Sequence, residues 1–170
     1  MNSANQRKLV SFGKYEFTGK TIGKGNYASV VEAKFENKRY ALKIIDLVNA
    51  RDNYVKRNYK REAEILKELK HPNIIHLHEA LESQNYFVLV LEIVPENLCD
   101  YVRNYRRGKL EESTARIFFC QLVSAVSYLH EKGFIHRDLK LENVLIDRLR
   151  QRIKLTGKKW FNNLKLTVIF

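Results

Sequence analysis

The stretch IHRDLKLENVLID, residues 135–147, decides how the rest of this chain is read. It sets five polar residues, His136, Arg137, Asp138, Lys140 and Asn143, around apolar Leu139, Val144 and Leu145. An aspartate in such a loop can accept the proton of an attacking hydroxyl. An asparagine five positions on can ligate a metal that shields phosphate oxygens, and a lysine between them can neutralise charge on a transferred group. So many fixed polar positions make a chance helix-to-strand turn a poor account of the string.

Upstream, the spacing predicts a helix over 111–132, ended by Gly133, a residue type favoured just past helix C-termini. Its apolar positions, among them Ile117, Phe118, Phe119, Leu122, Val123 and Leu129, cover more than one stripe, so burial on several sides is expected. Strands are predicted at 76–81 and 85–94, joined by the turn SQN. A helix over 54–70 puts Tyr59, Glu62, Leu66 and Leu69 on one face and stops at HPNI, with Pro72 as the breaker. Residues 15–45 read as three strands, with a glycine-bearing turn at 23–28 and a tight connection at 36–38.

Three further features carry possible chemistry. In IGKGNYASV, Ile22–Val30, Gly23 and Gly25 let backbone approach a ligand, and exposed amide N–H groups can cradle phosphate oxygens; alone, such a hairpin is most often only a turn. In YALK, alternation puts Ala41 and Lys43 on one face, opposite Tyr40, Leu42 and Ile44. A lysine in an apolar strand wants a charge partner, unless it is an edge residue reaching solvent. Glu62, on the inward stripe of the 54–70 helix where Glu64 and Glu68 are not, is a candidate partner.

Taken in order, these motifs resemble a eukaryotic-type protein kinase over residues 15–156, and HRDLKLEN resembles the serine/threonine kinases. HPNI and FCQLVSAVSYLHEKGFIHRDLK look most like the calmodulin-dependent and AMP-activated kinase group. The resemblance implies an α+β, protein-kinase-like fold: a five-stranded antiparallel sheet plus one helix as the first lobe (15–94), then an incomplete helical second lobe with the catalytic loop (95–156). A polar N-terminal extension (1–14) and a divergent tail (157–170) flank them. It implies ATP and Mg2+ as cofactors and Ser/Thr-bearing protein as substrate. Gly23 and Gly25 would cover the phosphates, Val30, Ala41 and Leu145 would surround the adenine, and Ile22 would also be a nucleotide-binding residue. Leu91 would be the gatekeeper, and Glu92 and Val94 would offer backbone groups. Lys43, paired with Glu62, would hold the α- and β-phosphates. Asp138 would be the catalytic base, Lys140 would act at the γ-phosphate, and Asn143 would bind the metal. Leu66, Leu77 and His136 would join an apolar stack between the lobes.

The pattern is left at three places. The third glycine of the phosphate loop is Ala28, and the hinge exit VPENL looks one residue short, so Glu96 or Asn97 could face the ribose. After IKLT, where the family has Asp-Phe-Gly, this chain has Gly157-Lys158-Lys159, and residues 148–170 contain no carboxylate side chain. The abrupt change after Thr156 reads as a truncated or frame-shifted product, or an alternative ending. Little or no activity is therefore expected, the alternative being a non-catalytic kinase-like nucleotide-binding or scaffold module. An unfinished second lobe would also leave part of the 111–132 helix uncovered, which points to a partner protein, to cover from the tail segment LKLTVIF, or to aggregation.

Composition bounds the rest. Of 170 residues, 45% are apolar and 29% charged, as in a globular chain. No apolar run approaches the roughly 20 residues needed to span a bilayer, and the polar start lacks a signal-peptide core. Two cysteines, Cys99 and Cys120, are too few for a disulfide framework, so an intracellular, cytoplasmic setting is expected. The net charge of +12 gathers at 56–61, 103–109 and 148–154, clusters without a regular stacking pattern of aromatics that are expected to be solvated faces and loops, which ranks a nucleic-acid role far below the others.

Overall fold

The computed structural model describes residues 10–25, 28–49, 53–105, 108–157 and 161–162. In chain order the elements are β1 (Ser11–Phe12), β2 (Tyr15–Lys24), β3 (Ala28–Phe35), β4 (Lys38–Asp46), α1 (Asn53–Glu68), β5 (Leu77–Glu82) and β6 (Tyr86–Glu92). Then come β7 (Glu96–Asn97), α2 (Leu98–Tyr105), α3 (Glu112–Glu131), β8 (Phe134–Ile135), a single 3-10 turn (Leu141–Asn143), β9 (Val144–Asp147), β10 (Arg152–Leu155) and β11 (Phe161–Asn162). They form two compact units, Met1–Lys56 with His78–Ile93, and Arg57–Leu77 with Val94–Phe170.

The first unit is a sheet in the order β1-β2-β3-β4-β6-β5. The five expected strands are all present. The sixth, β1, comes from residues read as polar extension: its pairing of Ser11 with Glu16 and Phe12 with Tyr15 makes a short hairpin that packs Phe12 against the core. At the β3–β4 turn Glu36 and Asn37 have φ of +46° and +60°. Two left-handed residues in a two-residue loop give the twist that adjacent antiparallel strands need. Alternation then sorts the side chains. Tyr15, Ala33, Leu42, Ile44, Val88 and Val90 form the core on one face. Tyr15 also donates a hydrogen bond to Glu79, whose carboxylate pairs with Lys14 at 2.9 Å, and its ring meets those of Phe35 and Tyr40 edge-on.

In the second unit α3 packs against β8 and β10. The segment after α1 is tied to the same framework. Lys70 N–H donates to Tyr128 Oη (3.0 Å), and the His71 ring stacks on that of Tyr128. Asn73 is buried; its Nδ2 donates to Gln121 Oε1 (2.8 Å) and to Ile153 O (3.0 Å). Leu155 N–H donates to Asn73 O (2.8 Å), and Ile75 N–H to Leu155 O (2.9 Å). These bonds explain why residues 57–77 group with the second unit, so that the compact units cut across the boundary drawn at 15–94. Between β6 and α3, where no element was assigned from sequence, lie β7 and α2.

The long helix runs from Glu112 to Glu131, one residue inside its predicted ends. Gly133, at φ +78°, caps it, donating to His130 O at 2.9 Å. Its apolar surface is divided. Phe118, Ala125 and Leu129 are buried, whereas Ile117, Phe119 and Val123 are 44%, 65% and 49% exposed. Residues 163–170, which include the LKLTVIF segment, lie outside the described residues.

Candidate functional site

In the first unit the β2–β3 hairpin carries the glycine motif. Gly23 pairs with Val30, and Gly25 N–H donates to Ala28 O at 2.8 Å; Asn26 and Tyr27 at the tip lie outside the described residues. A Cβ at Gly23 would meet only Val30 Cβ, at 4.0 Å, so nothing within the protein demands glycine there. Ile22 is exposed. Directly opposed residues share a face of an antiparallel sheet. The register sets Val30 against Lys43, Lys43 against Leu89, and Ala41 against Leu91. Val30, Ala41, Lys43, Leu89 and Leu91 therefore share the face opposite the aromatic core. Glu92, opposite Tyr40 at the end of β6, falls on the other face.

Glu32 also stands on the Lys43 face, opposite Ala41, and is 6% exposed. Lys20 Nζ and Arg39 Nη1 lie 3.9 and 3.7 Å from its carboxylate. Sequence reading passed over Glu32, because an acidic residue in an alternating strand reads as solvent-facing.

In the second unit Glu62 is half-buried on α1, while Glu64 and Glu68 are exposed, as their stripe positions predict. Val94 is buried, and half-buried Leu145 on β9 sits between Asn97 and Lys154 in register. Leu66, Leu77 and His136 are all buried. Lys43 and Glu62 belong to different units, and both are engaged in polar interactions.

The loop between β8 and β9 brings Asp138, Lys140 and Asn143 together. Asn143 Nδ2 donates to both Asp138 O (2.7 Å) and Asp138 Oδ2 (2.9 Å), and Lys140 Nζ approaches Asp138 Oδ2 at 3.2 Å. The Asn143 hydrogen bond and then the Lys140 ammonium hold the Asp138 carboxyl below its ordinary range. Asp138 is thus an anion with a defined orientation, chemically able to accept a proton. Arg137 has φ +59°, a left-handed conformation that non-glycine residues seldom adopt and that clusters at functional loops.

His136 braces this loop. Its Nδ1 accepts from Asp138 N–H (3.3 Å), which leaves Nε2 to carry the proton toward Thr156 O, 2.9 Å away. Burial lowers its pKa, outweighing the opposing pulls of the Thr156 carbonyl and Asp138. Burial, and then the Lys154 charge, lower that of His71 as well. Both histidines bind protons less readily folded than unfolded. Their contribution is therefore complete above the ordinary histidine pKa of 6.5 and is lost as pH falls below it. Urea midpoints are expected to drop between pH 7.5 and 5.5, before the carboxylates titrate, and His71→Gln should flatten that slope. An equal slope in the variant would remove His71 from the account.

Magnesium requires near-octahedral oxygen coordination, ordinarily with one or two carboxylates. Among the described residues no three His, Cys, Asp or Glu side chains converge on a metal position. Asn143 gives its amide N–H2 to Asp138, so its Oδ1 is the atom that would face a metal, while position 157, where the family's charged ligand stands, is glycine. Of the expected magnesium ligands Asn143 is present, and the carboxylate that would carry the charge is missing.

The family model of the protein kinase domain matches residues 16–157. The chain is 43% identical over 151 residues to CBL-interacting serine/threonine-protein kinase 1 of Arabidopsis thaliana, covering 88% of this chain and 33% of that protein. It is 41% identical over 139 residues to the hormonally up-regulated neu tumor-associated kinase of Homo sapiens, 79% of this chain and 19% of that protein. To NUAK family SNF1-like kinase 2 of Rattus norvegicus it is 42% identical over 136 residues, 79% of this chain and 21% of that protein. It spans about a third or less of the length of these curated relatives.

Proposed function

This chain belongs to the protein kinase family, and we propose that it derives from a serine/threonine kinase that phosphorylates proteins but is itself inactive, or nearly so, in phosphoryl transfer. The observation that carries this is Gly157. It occupies the position of the family's metal-binding aspartate, and no carboxylate side chain lies from 148 to 170 to replace it. Phosphoryl transfer depends on positioning and on neutralising phosphate charge, and here the charged metal ligand is missing.

What persists is the strand register that the family resemblance assigns to nucleotide binding. Support for ATP recognition comes from Val30, Ala41, Lys43 and Leu91 sharing one sheet face, and from a Gly23 that no internal contact requires. In this reading, which the family resemblance supplies, Ile22 is a nucleotide-binding residue, Gly23 and Gly25 would lie over the phosphates, and Lys43 would hold them with Glu62 as its partner. By the family resemblance Leu145 would also belong to the adenine site, Leu91 is the gatekeeper, and Glu92 and Val94 offer hinge backbone. Asp138 and Lys140 keep the arrangement of a base and its neighbour, with Asn143 fixing the carboxylate. The module is then a nucleotide binder or scaffold, intracellular, with a partner protein covering Ile117, Phe119 and Val123. Among the described residues no helix is long and apolar enough to cross a membrane.

The test is magnesium-dependent transfer of labelled phosphate from ATP to a basic Ser/Thr peptide. Turnover is expected to be at least about a thousandfold below the 1–100 s⁻¹ of ordinary kinases and no greater than that of Asp138→Asn. Robust turnover that Asp138→Asn abolishes would overturn the proposed inactivity.

A further inference from the structure

The exposed side of α3 is patterned as well as apolar. Arg116, Cys120, Val123, Ser127 and Glu131 follow one another at spacings of four, three, four and four residues. At about 100° per residue they fall within one stripe about 80° wide. All five are exposed, and Phe119 and Ile117 flank the stripe on its two sides. The order of charge along it singles out an occupant. A guanidinium stands near the N-terminal end of the helix and a carboxylate at the C-terminal end, with Val123 and two small side chains between. Two such stripes laid parallel would set like charge against like. Laid antiparallel, about an axis between Val123 and Ser124, they match at every step. Arg116 meets Glu131 of the other copy, Cys120 meets Ser127, and Val123 approaches its own counterpart. The cysteine and serine let the two backbones come close. Arg116 already donates to Glu112 at 2.9 Å, and its fork has further N–H groups to reach a second carboxylate.

We propose that this side of α3 is a two-fold interface with a second copy of this chain, the two helices packed antiparallel. It rests on the reading above that a protein partner covers Ile117, Phe119 and Val123, and it names that partner. A two-fold pairing uses the same patch on both copies and closes on itself, so the product is a dimer and not a filament. One helix pair about four turns long buries on the order of 1,000 Å² in total, the low end for a specific contact. Each copy also carries a net charge of +12, which opposes association. The dimer is therefore weak, with a dissociation constant of about 10–100 µM, and at lower concentration the face stands open.

Sedimentation equilibrium of the full chain between about 1 and about 300 µM, a range that brackets this affinity, is the test. Wild type is expected to pass from monomer to dimer, and Val123→Arg, which puts two charges at the axis, to stay monomeric. Arg116→Glu should weaken the dimer about tenfold, and Glu131→Arg likewise, since each sets like charges together at both ends of the seam. The two changes in one chain should return the affinity to within about threefold of wild type, because the pair is restored with its signs exchanged. The Glu112–Arg116 contact stays lost in that double variant, so the rescue reports on pairing between copies alone. A chain that remains monomeric throughout, or a dimer indifferent to Val123→Arg, or charge reversals that add without rescue, would each overturn the inference and leave the face to a different protein. Equal costs of Phe119→Ala and Leu129→Ala in the dilute monomer would show the face already covered within the chain, and would overturn the partner reading itself, so the two failures are distinguishable.

Discussion

Saturating ATP is expected to raise the thermal midpoint of this chain by about 5–10 °C, and Lys43→Met to abolish the rise. A ligand present at a hundred times its dissociation constant stabilises the folded state by about 2.7 kcal/mol, which for a chain of this size corresponds to a shift of that order. Lys43 is the group on which the shift should depend. It stands on β4 between Ala41 and Ile45, opposite Val30 on β3 and Leu89 on β6, so its ammonium is a cation on an otherwise mainly apolar part of the face. Methionine keeps the length and apolar stem of lysine and removes only the charge, so the sheet should fold unchanged while the phosphates lose their counter-ion. A shift that survives Lys43→Met would remove Lys43 from the nucleotide site. No shift in wild type would leave only the scaffold role.

Leu129→Ala is expected to destabilise the second unit by about 2–5 kcal/mol, the range for emptying a fully buried leucine site, seen as a fall in thermal midpoint of about 5–15 °C. Leu129 is 0% exposed, on the side of α3 that also buries Phe118 and Ala125. The helix there packs against β8 and β10, and Gly133 ends it one turn later, so the gap cannot close by sliding the helix. Phe119→Ala on the same helix provides the contrast. At 65% exposure it should change stability by no more than about 0.5 kcal/mol, and by removing exposed apolar surface it should make the chain less prone to aggregate. Equal costs at the two positions would mean that the exposed face is covered in solution.

The elements most legible in the sequence are those whose cause is local. The loop at 136–143 was recognisable because its partners are close in the chain: Asp138 and Asn143 are five residues apart and in direct contact. The split of β4 into Leu42 and Ile44 on the core side and Ala41 and Lys43 on the other follows from strand pleating alone, and the register bears it out. Gly133 could be assigned from residue type because few others tolerate its left-handed φ. The Tyr15–Glu79 bond spans 64 residues and the Asn73–Ile153 bond 80. Neither end carries a periodic signal naming the other. Glu32 was missed for the same reason: its burial comes from the neighbouring strands, and alternation alone assigns it no depth.

The sequence by itself determined the family, the five main strands and two long helices, the residues of the catalytic-type loop, and the loss of a carboxylate after Thr156. Each of these is written in residue type and short spacing, and survives whatever the chain packs against. Only the tertiary structure decided which side of α3 is buried and that residues 57–77 are tied to α3 and β10. These depend on groups tens of residues apart meeting at van der Waals distance, which residue type and short spacing do not encode.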